Sequence, residues 1–248
     1  MRAALHFCSY LALGALLLGG CESSPGRPGK DSATPAPDEI LDFKILYGEN
    51  CAGCHGADGR GGAAIALGDP VYLAIADDTT IRKVIGEGVS GTSMPAFARS
   101  AGGMLTDKQI EVIATQMRSR WSRPGILNGV AAPSHLNLAK SPGEPAQGEV
   151  VYKTYCESCH GPDGRGGKKG SSITDSAYLA LVSNQGLRTV VITGRPELNA
   201  PDWRNNVPGK PMSEQEITDV VAWLASKRVQ NPGQPYPAAQ NPPAAGAK

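Results

Sequence analysis

The chain has 248 residues, with 31 Gly and 20 Pro, about a fifth of its length where about 12% is usual, and aromatics are only 5%. Such a chain is loop-rich with a modest apolar core, and it is long enough for one large domain or two small ones. A net charge of +1 argues against a nucleic-acid binder with a basic surface, and no run of about 20 apolar residues after the first two dozen positions excludes a polytopic membrane protein.

In chain order, Arg2 opens a short positive region and Leu5 to Leu18 is apolar, too short to span a bilayer comfortably. The stretch ends in Leu18-Gly19-Gly20-Cys21, which resembles the lipobox of bacterial lipoproteins. The resemblance implies a signal peptide over 1–20, cleavage before Cys21, and lipid on that Cys. An ordinary secretory signal or an uncleaved anchor is the alternative, and each outcome places the rest of the chain outside the cytoplasm. Residues 21–37, rich in Ser, Pro and Gly, read as a flexible tether.

Six Cys are present. Cys8 leaves with the signal and Cys21 is taken by lipid. The remaining four form Cys51-Ala52-Gly53-Cys54-His55 and Cys156-Glu157-Ser158-Cys159-His160. Each Cys-x-x-Cys-His is the c-type haem attachment signature. Two thiols one helical turn apart add to the two vinyl groups of a porphyrin, and the following His reaches the iron from the proximal side. A thioredoxin-like pair would need a preceding strand, which is not evident. A zinc site would have to join pairs 105 residues apart, and disulfides within the pairs would explain neither His.

The duplication extends beyond the motif. Tyr47 matches Tyr152, Gly56 to Gly62 matches Gly161 to Gly167, Tyr72-Leu73 matches Tyr178-Leu179, Arg82 matches Arg188, and Gly88 matches Gly194. Both copies close with an apolar-periodic helix opened by a capping box, Thr106 with Gln109 and Ser213 with Glu216. Strand signals are nearly absent. Each copy resembles class I cytochrome c. The resemblance implies an all-α protein with cytochrome c domains over 38–121 and 144–229, joined by a Pro-rich linker over 122–143. A disordered Pro/Ala-rich tail follows over 230–248. It also implies two covalently bound haem c groups, held by Cys51, Cys54 and His55 in one domain and by Cys156, Cys159 and His160 in the other.

In the resembled family the distal ligand is commonly a Met before the last helix. Ser93-Met94-Pro95 lies there, 39 residues after His55, so Met94 is the expected ligand. Met104 reads as packing on the last helix. In the second copy the alignment puts Ala200 at Met94 and Trp203 at Phe97. Met212 aligns with Leu105, a slot for an apolar staple, and is read as core with ligand as the alternative. Asn199, Lys210 and Lys168 have no support. The second haem is therefore expected to have an open or weakly filled distal site and a lower potential than the first. Arg82 and Arg188 would hold haem propionates or sit on solvated helix faces. His135 reads as a solvated linker His, and Asp77-Asp78 as a helix cap.

No Ser-His-Asp set can be assembled. The expected function is single-electron transfer, iron cycling Fe(II)/Fe(III), between respiratory-chain partners such as a quinol-oxidising complex, a terminal oxidase or other cytochromes. The chain would be exported to the cell envelope, tethered to a membrane and facing the periplasm or exterior. The alternative is a haem enzyme, peroxidase-like or oxidising sulfur compounds, or a gas sensor, using the open second site.

Overall fold

A computed structural model describes residues 34–136, 142–230 and 232. The expected signal peptide, Cys21, most of the tether and nearly all of the tail lie outside these residues. The chain divides into units 1–39 and 40–248. In the described part of the first, Ala36 N donates to Glu39 Oε2 at 2.9 Å around the 3-10 turn Pro37–Glu39.

The second unit is helical: α1 (Phe43–Asn50), α2 (Ala52–His55), α3 (Pro70–Ile75), α4 (Asp78–Glu87) and α5 (Asp107–Trp121), then α6 (Pro145–Tyr155), α7 (Glu157–His160), α8 (Ser176–Leu181), α9 (Asn184–Thr193) and α10 (Glu214–Ser226). Among the described residues there is no strand, only isolated bridges at Ala98–Leu105 and Arg195–Ala200. The fold is all-α and tandem.

Local chemistry starts these helices in matched places. Asp42, Asp69 and Asp77 cap α1, α3 and α4, each accepting from a backbone N–H of the first turn. Asp175 and Ser183 do the same for α8 and α9. Both capping boxes form, Thr106 with Gln109 and Ser213 with Glu216, each cap contributing about 1 kcal/mol.

Each copy builds a core around its first and last helices. In the first, Phe43, Leu46 and Tyr47 pack with Ile110, Ile113, Ala114 and Met117 of α5. Trp121 sets its ring edge-on to Tyr47 at 5.1 Å. In the second, Val151, Tyr152 and Tyr155 pack with Ile217, Val220, Trp223 and Leu224 of α10, and Tyr152 stacks on Trp223 at 4.3 Å. Gly148 lets α6 and α10 touch: a Cβ there would lie 2.0 Å from the Asp219 carbonyl oxygen.

The segment between the copies is more engaged than its composition indicates. Ile126, Leu127 and Ala132 pack against the second core, which also contains Val71 of α3. Arg204 Nη1 donates to Ile126 O at 2.8 Å. Ser134 is held at both backbone atoms: its carbonyl accepts from Arg188 Nε at 3.0 Å and its N–H donates to Glu214 Oε2 at 3.0 Å. Two expectations are corrected here. Arg188 is not on a solvated face; it is 2% exposed, paired with Glu214 and donating to Thr218 Oγ1 at 3.2 Å. His135 is not a solvated loop residue. It is half-buried, edge-on to Tyr72 at 5.9 Å, with its carbonyl accepting from Gln185 Nε2 at 2.6 Å.

Candidate functional site

The two Cys-x-x-Cys-His segments have the same build. α1 stops at Cys51, whose N–H still donates to Tyr47 O at 2.9 Å while its φ of −122° leaves the helical region. One further turn carries Cys54 and His55, and Gly56 at φ 84° ends it. The second copy repeats this with Cys156 at φ −121° and Gly161 at φ 77°. Tyr47 Oη donates to Gly56 O at 3.0 Å, and Tyr152 Oη donates to Gly161 O. These bonds pin each turn to the helix before it.

The histidines are oriented by backbone. His55 Nδ1 lies 2.8 Å from Ile65 O, and His160 Nδ1 lies 2.7 Å from Ser171 O. A carbonyl only accepts, so Nδ1 carries the proton and Nε2 keeps a free lone pair. His55 is 6% exposed, and burial holds its pKa below the ordinary value although the bond to Ile65 pulls the other way. It is therefore neutral and able to donate to a metal. The four cysteines are unbridged. Burial, with the neighbouring Cys54, pushes the Cys51 thiol up to about 11, and burial with Cys159 pushes Cys156 up to about 12. Cys51 and Cys156 therefore sit as neutral thiols, each one turn from the second cysteine of its motif. Among the described residues no three His, Cys, Asp or Glu converge on a metal site, so the two pairs do not build a shared zinc centre. Thiols at this spacing beside an imidazole with free Nε2 fit a covalently held haem in each copy.

The segment before α5 carries Met94. Gly88, at φ 70°, ends α4 so closely that a Cβ would fall 2.7 Å from Met94 O and 2.6 Å from the Pro95 carbonyl carbon. Val89 N donates to Met94 O at 3.0 Å and Met94 N to Thr92 Oγ1 at 3.1 Å. Met94 itself is half-buried. Met104, expected to pack on the last helix, is instead 76% exposed, because the 3-10 turn Arg99–Ala101 and Gly102 carry it outward.

The equivalent segment of the second copy follows the same path. Gly194, at φ 66°, would place a Cβ 2.3 Å from Pro201 O and 2.6 Å from Ala200 O. Trp203 N donates to Ile192 O at 3.1 Å and Met212 N to Trp203 O at 3.0 Å. In the first copy Phe97 N meets Ile85 O at 3.1 Å and Leu105 N meets Phe97 O at 2.8 Å. Ala200 thus stands where Met94 stands, and Met212 where Leu105 stands. Met212 is 3% exposed, in the second core.

Sequence reasoning missed several contributors. The carbonyls of Ile65 and Ser171 that orient the imidazoles are backbone groups, which leave no signature in residue type. It also missed Arg195, which crosses between the copies: its Nη2 donates to Gly62 O at 2.9 Å and its Nε to Glu197 Oε1 at 2.6 Å. Asp77 caps α4 as expected, while Asp78 pairs with Arg118 of α5.

The sequence model of the family "Cytochrome C oxidase, cbb3-type, subunit III" matches residues 38–115 and 143–224. The Cbb3-type cytochrome c oxidase subunit CcoP of Azospirillum sp. (strain B510) is 34% identical over 156 residues, 54% of this chain and 47% of that protein. The cytochrome bc1 complex cytochrome c subunit of Corynebacterium diphtheriae is 26% identical over 212 residues, 81% of this chain and 72% of that protein. A chain of the reducing HAO-like protein complex of Kuenenia stuttgartiensis superposes on 79% of this chain at 20% identity with a TM-score of 0.42. The chain spans about half the length of the cbb3-type relatives named. Two matched segments, each framing its own Cys-x-x-Cys-His turn, place the chain in the cbb3-type cytochrome c oxidase subunit III family, as a dihaem c-type cytochrome with covalently bound haem c.

Proposed function

We propose that the chain is an envelope electron relay serving membrane respiratory complexes, and that its two domains hold their haems with matched proximal sides. Cys51 and Cys54 bind one haem through thioethers, and Cys156 and Cys159 the other. His55 and His160, with Nδ1 bound to backbone carbonyls, would offer Nε2 to iron, and Met94 would offer its thioether to the first haem. Cys21 carries lipid that ties the chain to a membrane, with both domains facing the periplasm or the exterior. No helix of the described residues is long and apolar enough to cross a membrane; the tether of this reading rests on the Leu18-Gly19-Gly20-Cys21 resemblance alone. The relatives named as subunits of cbb3-type oxidase and of a bc1 complex support a quinol-oxidising complex as donor and a terminal oxidase as acceptor.

The observation that carries the reading is the paired imidazole geometry. Bound haem supplies the one-electron Fe(II)/Fe(III) couple, and the protein sets its potential through ligands, hydrogen bonds and burial. Here the Ile65 and Ser171 carbonyls accept the Nδ1 protons, which fixes the ring orientation and makes Nε2 more basic. A soft Met94 thioether favours the ferrous state and raises the first potential. The chain moves no proton and binds no substrate in this scheme; it holds ligands still while charge changes, which keeps reorganisation small.

The test uses the lipidated full chain in membranes that contain a quinol-oxidising complex and an oxidase. Quinol should reduce both haems, and oxygen should reoxidise them through the oxidase. Haems that stay oxidised under quinol, in membranes where another cytochrome is reduced, would overturn the assignment of partners. A chain recovered without lipid at Cys21 would overturn the tether alone.

A further inference from the structure

We infer that the second domain offers its haem iron no distal side chain, and that this position binds small neutral diatomic ligands of ferrous iron such as carbon monoxide or nitric oxide. The inference rests on the proposed reading of both domains as haem carriers. Its basis is the replacement of Met94 by Ala200 on a backbone that is otherwise conserved between the two copies. Gly88 and Gly194 close against the same following peptides, Met94–Pro95 in one copy and Ala200–Pro201 in the other. Both copies then return to the preceding helix, through Phe97 N to Ile85 O and through Trp203 N to Ile192 O. The segment is therefore anchored at matching backbone positions, although Met94 N donates to Thr92 Oγ1 and Ala200 N to Arg195 O, and a methyl stands where a thioether stood.

Among the described residues, the candidate side chains are each held elsewhere. Met212 is 3% exposed, inside the second core, with Asn206 Nδ2 3.9 Å from its Sδ. It occupies the position of Leu105, itself a core residue, directly before the capping Ser213. To reach iron it would have to leave that core. Asn206 also donates to Asp202 O at 3.2 Å. Lys210 Nζ lies 5.2 Å over the Tyr155 ring. Lys168 and Lys169 are exposed on the loop whose Gly170 closes on His160 Nδ1, which is the proximal side. His135 lies at α9, with Nε2 3.4 Å from Thr189 Oγ1. Asn199 is the exposed left-handed cap of the turn Pro196–Leu198, and a neutral amide is a poor iron ligand.

The ligand class follows from what surrounds Ala200. The nearby guanidinium groups are already engaged, Arg195 with Glu197 and Arg204 with Asp202. Little positive charge is left to hold an anion. A methyl and a proline ring give no hydrogen bond to a large polar ligand. Ferrous iron back-donates to neutral π-acceptors, which need only space.

The experiment is a carbon monoxide titration of the fully reduced full-length holoprotein, followed by absorption, after counting haem per chain. One carbon monoxide per two haems is expected. Ala200→Met should abolish that uptake and raise the potential of the second haem. Met212→Leu should leave uptake at one per two haems, and Met94→Ala should raise it to two. Wild-type protein that takes up none overturns the inference, and uptake gained on Met212→Leu would then name Met212 as the ligand. Uptake at both haems in the wild type overturns the difference between the copies. Fewer than two haems per chain would instead overturn the reading on which the inference rests.

Discussion

Glu214→Ala is expected to loosen the junction between the copies as well as the second domain. Arg188 is 2% exposed, and its side chain carries three bonds: to Ser134 O, to Thr218 Oγ1 and to Glu214. Glu214 binds the same residue from the other side, accepting from Ser134 N at 3.0 Å. Removing the carboxylate strands a buried guanidinium, which cannot shed its proton and whose burial already pulls its pKa down. Breaking a fully buried pair costs about 3–5 kcal/mol. The Glu214 side chain is 37% exposed, so water can partly replace it. A loss near the lower end, about 3 kcal/mol, is expected. Denaturant unfolding of the holoprotein, followed by circular dichroism, measures it as a lower midpoint at unchanged slope. Limited proteolysis near residue 134 should become faster in parallel. A loss below about 1 kcal/mol with unchanged cleavage would refute the clamp, and would show that Arg188 is satisfied by Ser134 and Thr218 alone.

The same junction should give acid sensitivity. Burial and Arg188 hold the His135 pKa below its ordinary 6.5, and Asp77 opposes them only in part, so its contribution is present above about 6.5 and is lost as pH falls through the lower folded value; His135→Gln should flatten the stability–pH curve there. Gly148→Ala should cost about 1–3 kcal/mol by overpacking, because its Cβ would strike the Asp219 carbonyl and Trp223 Cβ; a thermal midpoint equal to wild type would refute the close approach of α6 and α10. Met94→Ala should lower the potential of one haem and leave the other; a redox titration in which neither potential moves would remove Met94 as a ligand.

Much of this was legible in the sequence because it depends on residue type at fixed spacing. Cys51, Cys54 and His55 announce themselves, as do Cys156, Cys159 and His160, and the duplication supplies the all-α tandem plan. The capping boxes at Thr106 and Ser213 were legible for the same reason: side chain and spacing are both written in the chain. What was not legible depends on partners remote in sequence or on backbone. The Ile65 and Ser171 carbonyls could belong to any residue. His135 looked solvated because its neighbours in sequence are Pro, Ser and Asn, yet its neighbours in space are Tyr72, Gln185 and Thr189. Met104 looked like a core residue next to a helix, but the turn before it directs it to solvent.

Arg82 and Arg188 show how two copies of one domain come to differ without losing the fold. They hold the same place in the repeat, and the sequence gives no reason to treat them differently. Arg82 is half-exposed on α4 and lines a cleft with Lys83, Asp107 and Glu111. Arg188 is buried because the segment between the copies lies over it and Glu214 reaches it from α10. The difference comes from what packs against the position rather than from the position itself. Position 94 and its partner 200 differ in the opposite way. There the backbone surroundings agree and the side chain has changed. A duplicated chain can therefore diverge in two separable ways, by covering a residue it keeps or by keeping a loop whose residue it replaces. On the proposed reading, the first kind alters stability at the junction, and the second alters only the side chain offered to the iron. Glu214→Ala and Ala200→Met should accordingly act independently, their stability effects adding in the double variant, with only the second moving carbon monoxide uptake.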